Sequence, residues 1–421
     1  MSIQMIIGLI IICGAIYLLM KRYESRLVLF MAGLALACVA GNPMAAFKAF
    51  SGAMQNAKLL EPIVAAMGFA FVLKWTKCDE HLVHLLAGGL KKIGPAIVPG
   101  AVLVTAFINT SVTSASGCSA AVGAVLIPLL IKAGVHPAAA GAAVFAGTYG
   151  SPHLNPGFAQ VIVVADVTHN TPMAVIANHA SVVIILAFIV AAALAVVVYL
   201  KKEHTGYKSE VADVEFKVSF IKAIVPLIPL ALLLLGSTKA VPALKDLGIA
   251  HAMIIGVFCA WAVTGESPGK ISKEFFHGFG EGFGHVFGII TCSFVFVGGM
   301  EALGLVKALI SVMDSNPQLA KISGVVGPFL LGLVTGSGDA ASISFNTAVT
   351  AYAGAFGMNP LNLGSTAAIA GALGRTMSPI AGACIICAGY AGVSPMELAR
   401  RNVLASIVGA VFLTVMMMYL R

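Results

Sequence analysis

Charge is what this chain has least of. Asp, Glu, Lys and Arg make up 10% of its 421 residues, whereas a soluble globular chain carries about 25%. Hydrophobic residues make up 59%, and the mean hydropathy is +0.99. So few polar side chains cannot cover a water-facing surface of this size, which excludes a soluble enzyme, a disordered chain and a nucleic-acid binder. The net charge of +8 then reports loops beside a membrane rather than an anionic polymer. Cysteine makes no disulfide framework: Cys13, Cys38, Cys78, Cys118, Cys259, Cys292, Cys384 and Cys387 lie nearly all in apolar runs. Cys384-x-x-Cys387 has no second pair and reads as small-residue helix packing rather than a metal site. No P-loop, GxSxG elbow or HExxH is present, so neither ATP-driven pumping nor membrane proteolysis has support. The first apolar run lacks a charged n-region and a cleavage site, so 3–20 is expected to be a retained helix. The chain reads as an integral membrane protein and not an enzyme.

What is present in quantity is apolar sequence of spanning length. A crossing needs about 20 apolar residues, and stretches near 3–20, 26–42, 60–76, 172–200, 218–236, 248–264, 284–300 and 402–420 qualify. Segments 137–168 and 360–391 are long enough but interrupted by Gly, Pro and polar residues. Segments 95–133 and 319–356 read as pairs of short helices meeting at a Ser/Thr/Gly-rich tip, and 78–93 and 301–316 as amphipathic interface helices. The expectation is ten crossings plus two re-entrant hairpins. With both termini outside, 17 Lys and Arg fall in inside loops and 7 outside, Arg375 being left over, as the positive-inside rule requires.

The only long polar run, Lys201–Lys217, divides the chain near its middle. Pro172-Met173 recurs as Pro395-Met396 at an offset of 223, Gly134 and Pro137 as Gly357 and Pro360, and Pro156 as Pro379. Gly147 and Gly150 recur as Gly371 and Gly374 at 224, and Phe69 and Phe71 as Phe294 and Phe296 at 225. Five crossings per half is an odd number, so the second half must insert upside down. The fold class is therefore an all-α polytopic membrane protein of two inverted repeats, each of five transmembrane helices (one broken) plus a re-entrant hairpin. Inverted repeats with interrupted helices are the architecture of secondary transporters, with the substrate at the bilayer midplane. The first repeat is 1–200, 201–217 a cytoplasmic linker, and 218–421 the second repeat.

The interruptions carry the candidate site. The first tip supplies Asn109, Thr113, Ser114 and Ser116; the second supplies Ser337, Gly338 and Asp339, with Ser337 lying over Ser114. Non-helical backbone at this depth survives only inside protein or beside a wet cavity, and helix N-termini there suit an anion. The competing reading is that the hydroxyls cap their own helices. The breaks add Ser151, His153 and Asn155 in the first half, and Arg375, Thr376 and Ser378 in the second. A guanidinium at mid-membrane costs at least a few kcal/mol and must face a partner or water, and its fork suits a carboxylate. Arg375 therefore either holds a substrate carboxylate or pairs with Asp339, which is alternatively a site for a coupling proton or Na⁺. His153 is a donor, a proton carrier or a cap. Asp166 is expected in water, Glu61, Glu281 and Glu301 at span ends, and His81, His84, Lys91 and Lys92 at lipid headgroups.

Gly336-Ser337-Gly338-Asp339-Ala340, followed by Gly374-Arg375-Thr376-Met377-Ser378-Pro379, resembles the anaerobic C4-dicarboxylate uptake family of type C (DcuC-like carriers), and the resemblance spans nearly the whole chain. It implies an elevator-type homodimer in the bacterial inner membrane, with scaffold parts 1–94 and 218–317 and transport parts 95–200 and 318–421. It also implies succinate, fumarate or malate as substrate, moved by exchange or with H⁺ or Na⁺, and no other cofactor. Sodium-coupled dicarboxylate carriers of the same superfamily carry Ser-Asn-Thr at both tips. Here the tips read Thr113-Ser114-Ala115-Ser116 and Gly336-Ser337-Gly338-Asp339, so their Na⁺ sites do not transfer. A cation/proton antiporter or a carrier of another organic anion is the alternative on this fold, and a channel is the alternative of another class.

Overall fold

The computed structural model describes residues 3–21, 23–90, 94–207, 216–237 and 241–420. Lys91, Lys92 and part of the linker 201–217 lie outside the described residues. Among those described there is no strand. Seven helices are long and apolar enough to cross a membrane: Ala57–Thr76, Ala115–Lys132, Pro172–Leu200, Phe220–Ser237, Pro268–Ala302, Gln318–Thr335 and Pro395–Tyr419. Shorter apolar helices, Ile3–Leu19, Ser25–Val39, Ile97–Ser111, Ile249–Thr264 and Gly382–Ala391, accompany them.

Both expected hairpins are present. The first joins Ile97–Ser111 to Ala115–Lys132, and the second joins Pro317–Thr335 to Gly338–Ala348. Both expected breaks are present too. Pro137–Ala146 gives way to a 3-10 turn at Ser151–Leu154 before Ala159–Val167, and Pro360–Arg375 is followed by Gly382–Ala391. Their starts follow from local chemistry, since proline at the first helical position lacks an N–H that would go unpaired there anyway. His136 Nδ1 accepts from the Ala138 amide at 3.2 Å ahead of Pro137. Asn359 Oδ1 accepts from Leu361 at 2.9 Å ahead of Pro360. Thr171 and Ser394 cap the helices of Pro172 and Pro395 in the same way, at 3.2 and 3.3 Å.

Several expectations need correction. The span expected at 284–300 is the second part of one helix, Pro268–Ala302, with a π-helical turn at Gly282–Phe287. Its first part is amphipathic, so a reading by hydropathy alone starts it too late. Glu281 sits within this helix, directly before the π-helical turn. A short helix also forms at Met44–Met54, where hydropathy marks no element. Asp166 is half-buried, and both its oxygens lie 3.1 Å from Asn56 Nδ2. His84 stacks on Phe216 with ring centroids 4.0 Å apart, and His81 Nδ1 accepts from the Ser219 amide at 3.1 Å. These two rings meet the end of the linker and the start of the second repeat.

The largest buried cluster draws mainly on the hairpins, the broken helices and the two long helices after them, through residues such as Val102, Leu126, Phe145, Leu186, Leu373, Cys387 and Leu398. Separate small clusters join the early helices to 290–306 through Leu36, Val295 and Met300. The polar interruptions thus lie within one packed body.

Candidate functional site

The two tips are built alike. Ser114 Oγ accepts from the Gly117 amide at 3.2 Å and caps Ala115–Lys132. Ser337 Oγ accepts from the Ala340 amide at 3.2 Å and caps Gly338–Ala348. Both hydroxyls therefore do cap their own helices. The remaining first-turn N–H groups have no intrahelical acceptor, so each tip presents donors and a positive dipole end.

The first break needs a backbone that only glycine adopts readily: Gly150 has φ 147°. Its walls are fixed by buried polar bonds. Tyr149 Oη donates to the Val183 carbonyl at 2.6 Å, Asn155 Nδ2 to the Thr110 carbonyl at 2.8 Å, and Asn109 Nδ2 to the Val112 carbonyl at 2.8 Å. In the second break, a Cβ at Gly374 would overlap the Phe329 carbonyl oxygen, so that helix and Pro317–Thr335 pack backbone to backbone. Thr376 Oγ1 bonds the Leu373 carbonyl at 2.7 Å and Ser406 Oγ at 2.9 Å, and Asn402 Nδ2 donates to the Thr376 carbonyl at 3.1 Å.

Arg375, at the end of Pro360–Arg375, reaches across to the first break. Its Nη1 donates to Thr148 Oγ1 at 3.2 Å and its Nη2 to the Thr148 carbonyl. Among the described residues no carboxylate lies within ion-pair distance of it. Asp339 instead accepts from Gln160 Nε2 at 2.5 Å. Gln160 Oε1 lies 3.0 Å from His153 Nε2, and His153 Nδ1 lies 2.6 Å from the Gly150 carbonyl.

Both tips and both breaks open on one cavity of about 250 Å³, lined on the tips by Thr113, Ser114, Ser116, Ser337, Gly338 and Asp339. Thr148, His153, Gln160 and Arg375 line it from the breaks, and Ile63, Ala66, Met67 and Val286 close the apolar side. A single water needs only about 10–15 Å³ of such space, so a small organic anion fits with room for hydration. Asn109, Ser151, Asn155, Thr376 and Ser378 do not line it. Their polar atoms were expected at the substrate, but the first four tie neighbouring elements together, Ser151 Oγ lying 3.5 Å from Asn109 Oδ1. Ser378 is buried, with no partner for its hydroxyl among the described residues. Thr148 and Gln160 were not anticipated. Gln160, a lone amide in the apolar run Val161–Val164 and its neighbours, was the sequence signal available.

Residues 3–420 match the C4-dicarboxylate anaerobic carrier family, DcuC. The chain belongs to the DcuC family. Among relatives of this DcuC-family chain, the anaerobic C4-dicarboxylate transporter DcuC of Escherichia coli K12 is 25% identical over 98% of the chain and 96% of its own length. A putative uncharacterized transporter of Haemophilus influenzae is 40% identical over 63% of the chain and all of its own length. Two solved structures share the fold. Neisseria gonorrhoeae MtrF, described with a class of antimetabolite efflux pumps, has TM-score 0.64 at 14% identity, covering 89% of this chain and 84% of that one. The Alcanivorax borkumensis YdaH transporter has TM-score 0.61 at 17% identity, covering 88% and 87%. This DcuC-family member is a membrane transporter and not an enzyme.

Proposed function

We propose that the protein carries C4-dicarboxylates such as succinate, fumarate and malate across the bacterial inner membrane, by exchange or with a coupling cation. The observation that carries this reading is the convergence of both hairpin tips and both breaks on one cavity holding Arg375. Two carboxylates need two poles of recognition. The Arg375 fork supplies one, and the helix N-termini at Ser114 and Ser337 supply the other. Thr148 holds the guanidinium in place without neutralising it. The E. coli relative, named as a C4-dicarboxylate transporter, supports the substrate class.

The same reading has two inverted repeats working as an elevator. Its support is positional. The capping pairs His136 and Asn359, Ser114 and Ser337, and Thr171 and Ser394 each stand 223 apart. The large cluster around hairpins and breaks suits a mobile transport part, and the small clusters of early helices suit a scaffold that dimerises.

Counterflow of labelled succinate in proteoliposomes, competed by fumarate, tests the substrate. Saturable counterflow is expected, and its absence with intact protein removes the carrier reading. Arg375→Ala is expected to abolish it while the purified protein keeps its elution volume; near wild-type transport would take Arg375 out of the site.

A further inference from the structure

A buried histidine, an amide and a carboxylate run in a line from the first break to the second tip. The Gly150 carbonyl can only accept, so His153 Nδ1, at 2.6 Å, carries a hydrogen. The Gln160 amide has one donating and one accepting end. With Oε1 toward His153 Nε2 at 3.0 Å and Nε2 toward Asp339 Oδ1 at 2.5 Å, His153 must be an imidazolium and Asp339 a carboxylate. Turning the amide over reverses both ends. Its NH₂ then donates to a neutral His153, and its oxygen accepts from a protonated Asp339. Either way the trio holds one proton and no net charge. With that proton gone, a neutral imidazole and a carboxylate both face the amide as acceptors, and one of the two bonds is lost whichever way Gln160 points.

We infer that His153, Gln160 and Asp339 form a binding site for one coupling proton, shared across the Gln160 amide. The inference rests on the proposed carrier function, whose coupling ion it names. The trio joins Ser151–Leu154, Ala159–Val167 and the start of Gly338–Ala348. Proton binding therefore latches the second hairpin to the first broken helix, and proton loss releases it beside the substrate cavity. The charged and titratable groups facing the trio are Arg375, across the same cavity, and His179, which bonds the His153 carbonyl at 2.9 Å and Ser365 Oγ at 2.9 Å. The first tip faces it with Thr113, Ser114 and Ser116, and the 57–76 helix with Ile63, Ala66 and Met67, none of them charged.

Proteoliposomes loaded with a pH-sensitive dye test the proton. Fumarate is added at pH 7.5, where carboxyl groups of ordinary pKa, about 4, are ionised, so any proton that enters is brought by the protein. The lumen is expected to acidify in step with fumarate uptake. In Gln160→Leu the protons entering per fumarate should fall, because the lost hydrogen bond to a charged group weakens proton binding about tenfold. Unchanged protons per fumarate in that variant, or uptake that follows Na⁺ and moves no proton, overturns the site. A wild type that moves no fumarate sinks the carrier function instead, and a measurement without transport then decides the proton. In ¹⁵N-histidine-labelled protein, with His153 assigned by its loss in His153→Gln, Asp339→Asn should move the His153 titration midpoint by about one pH unit or more. The same substitution should move it far less in the Gln160→Leu background. A midpoint that ignores Asp339 overturns the shared proton.

Discussion

A guanidinium among apolar helices is tolerable only if its geometry is held, and at the residue scale Thr148 does the holding. Two donors of Arg375 are engaged by Thr148, which leaves the others of its five free for a planar carboxylate. A lysine keeps the charge but loses the fork. Arg375→Lys is accordingly expected to lose at least about tenfold in succinate counterflow, the factor of one charge-assisted hydrogen bond. Thr148→Val removes only the hydroxyl contact and keeps the carbonyl. It should raise the apparent KM while leaving the maximal rate near wild type; a fall in maximal rate with KM unchanged would make Thr148 structural. At the tips, Ser114 and Ser337 are caps, and loss of a cap costs about 1 kcal/mol. Ser114→Ala and Ser337→Ala should therefore lower the melting temperature slightly and weaken apparent affinity more, because the capped helix ends line the cavity proposed for the substrate. Unchanged affinity in both would leave the caps as structure alone.

At the scale of elements, the linker is tied to the second half by a bidentate pair. Arg401 donates from Nε to Glu203 Oε2 at 2.8 Å and from Nη2 to Oε1 at 2.6 Å, with Nη1 on the Glu397 carbonyl at 2.8 Å. The Glu203 carbonyl in turn takes the His136 amide at 2.8 Å, so the end of Pro172–Leu200, the start of Pro137–Ala146 and Pro395–Thr414 meet at one point. Burial pushes the Glu203 carboxyl up, but the Arg401 hydrogen bonds and charge outweigh it and hold the group below its ordinary 4.5. A depressed carboxylate contributes its full stability above the ordinary value and loses it as pH falls through the depressed one. Arg401→Gln should thus cost about 3 kcal/mol near pH 7, the low end for breaking a buried pair, and the gap from wild type should close in thermal melts as the pH falls below the ordinary 4.5 and through the depressed value. A gap independent of pH would assign the loss to packing. Such a tie shows why only part of the site was legible. Arg375, Asp339 and the Ser-rich tips stand out because a charge or hydroxyl in an apolar run has to be satisfied. Asn109, Asn155 and Thr376 stand out for the same reason, yet sequence does not say by whom, and here the partners are neighbouring backbone carbonyls. Gln160 carries no charge and was passed over, although it joins His153 to Asp339.

For the whole molecule the decisive matter is direction. The amphipathic helices Met44–Met54 and Pro268–Glu281 both escaped a reading by hydropathy, yet they fall at the repeat offset. Shifting the first by 225, the offset of Phe69 and Phe294, lays it over 269–279, within the second. Lys48 and Lys273 then occupy equivalent places and are both exposed. In repeats of the same direction they would share one side of the membrane, whereas inverted repeats put them on opposite sides. With both termini outside, the positive-inside rule predicts Lys48 outside and Lys273 inside. Lys48→Cys should therefore react with a membrane-impermeant maleimide from the periplasmic side of sealed cells. Lys273→Cys should react only after the inner membrane is opened, the wild-type labelling of the native thiols serving as baseline. Labelling of both from one side would make the copies parallel and overturn the proposed inverted repeat.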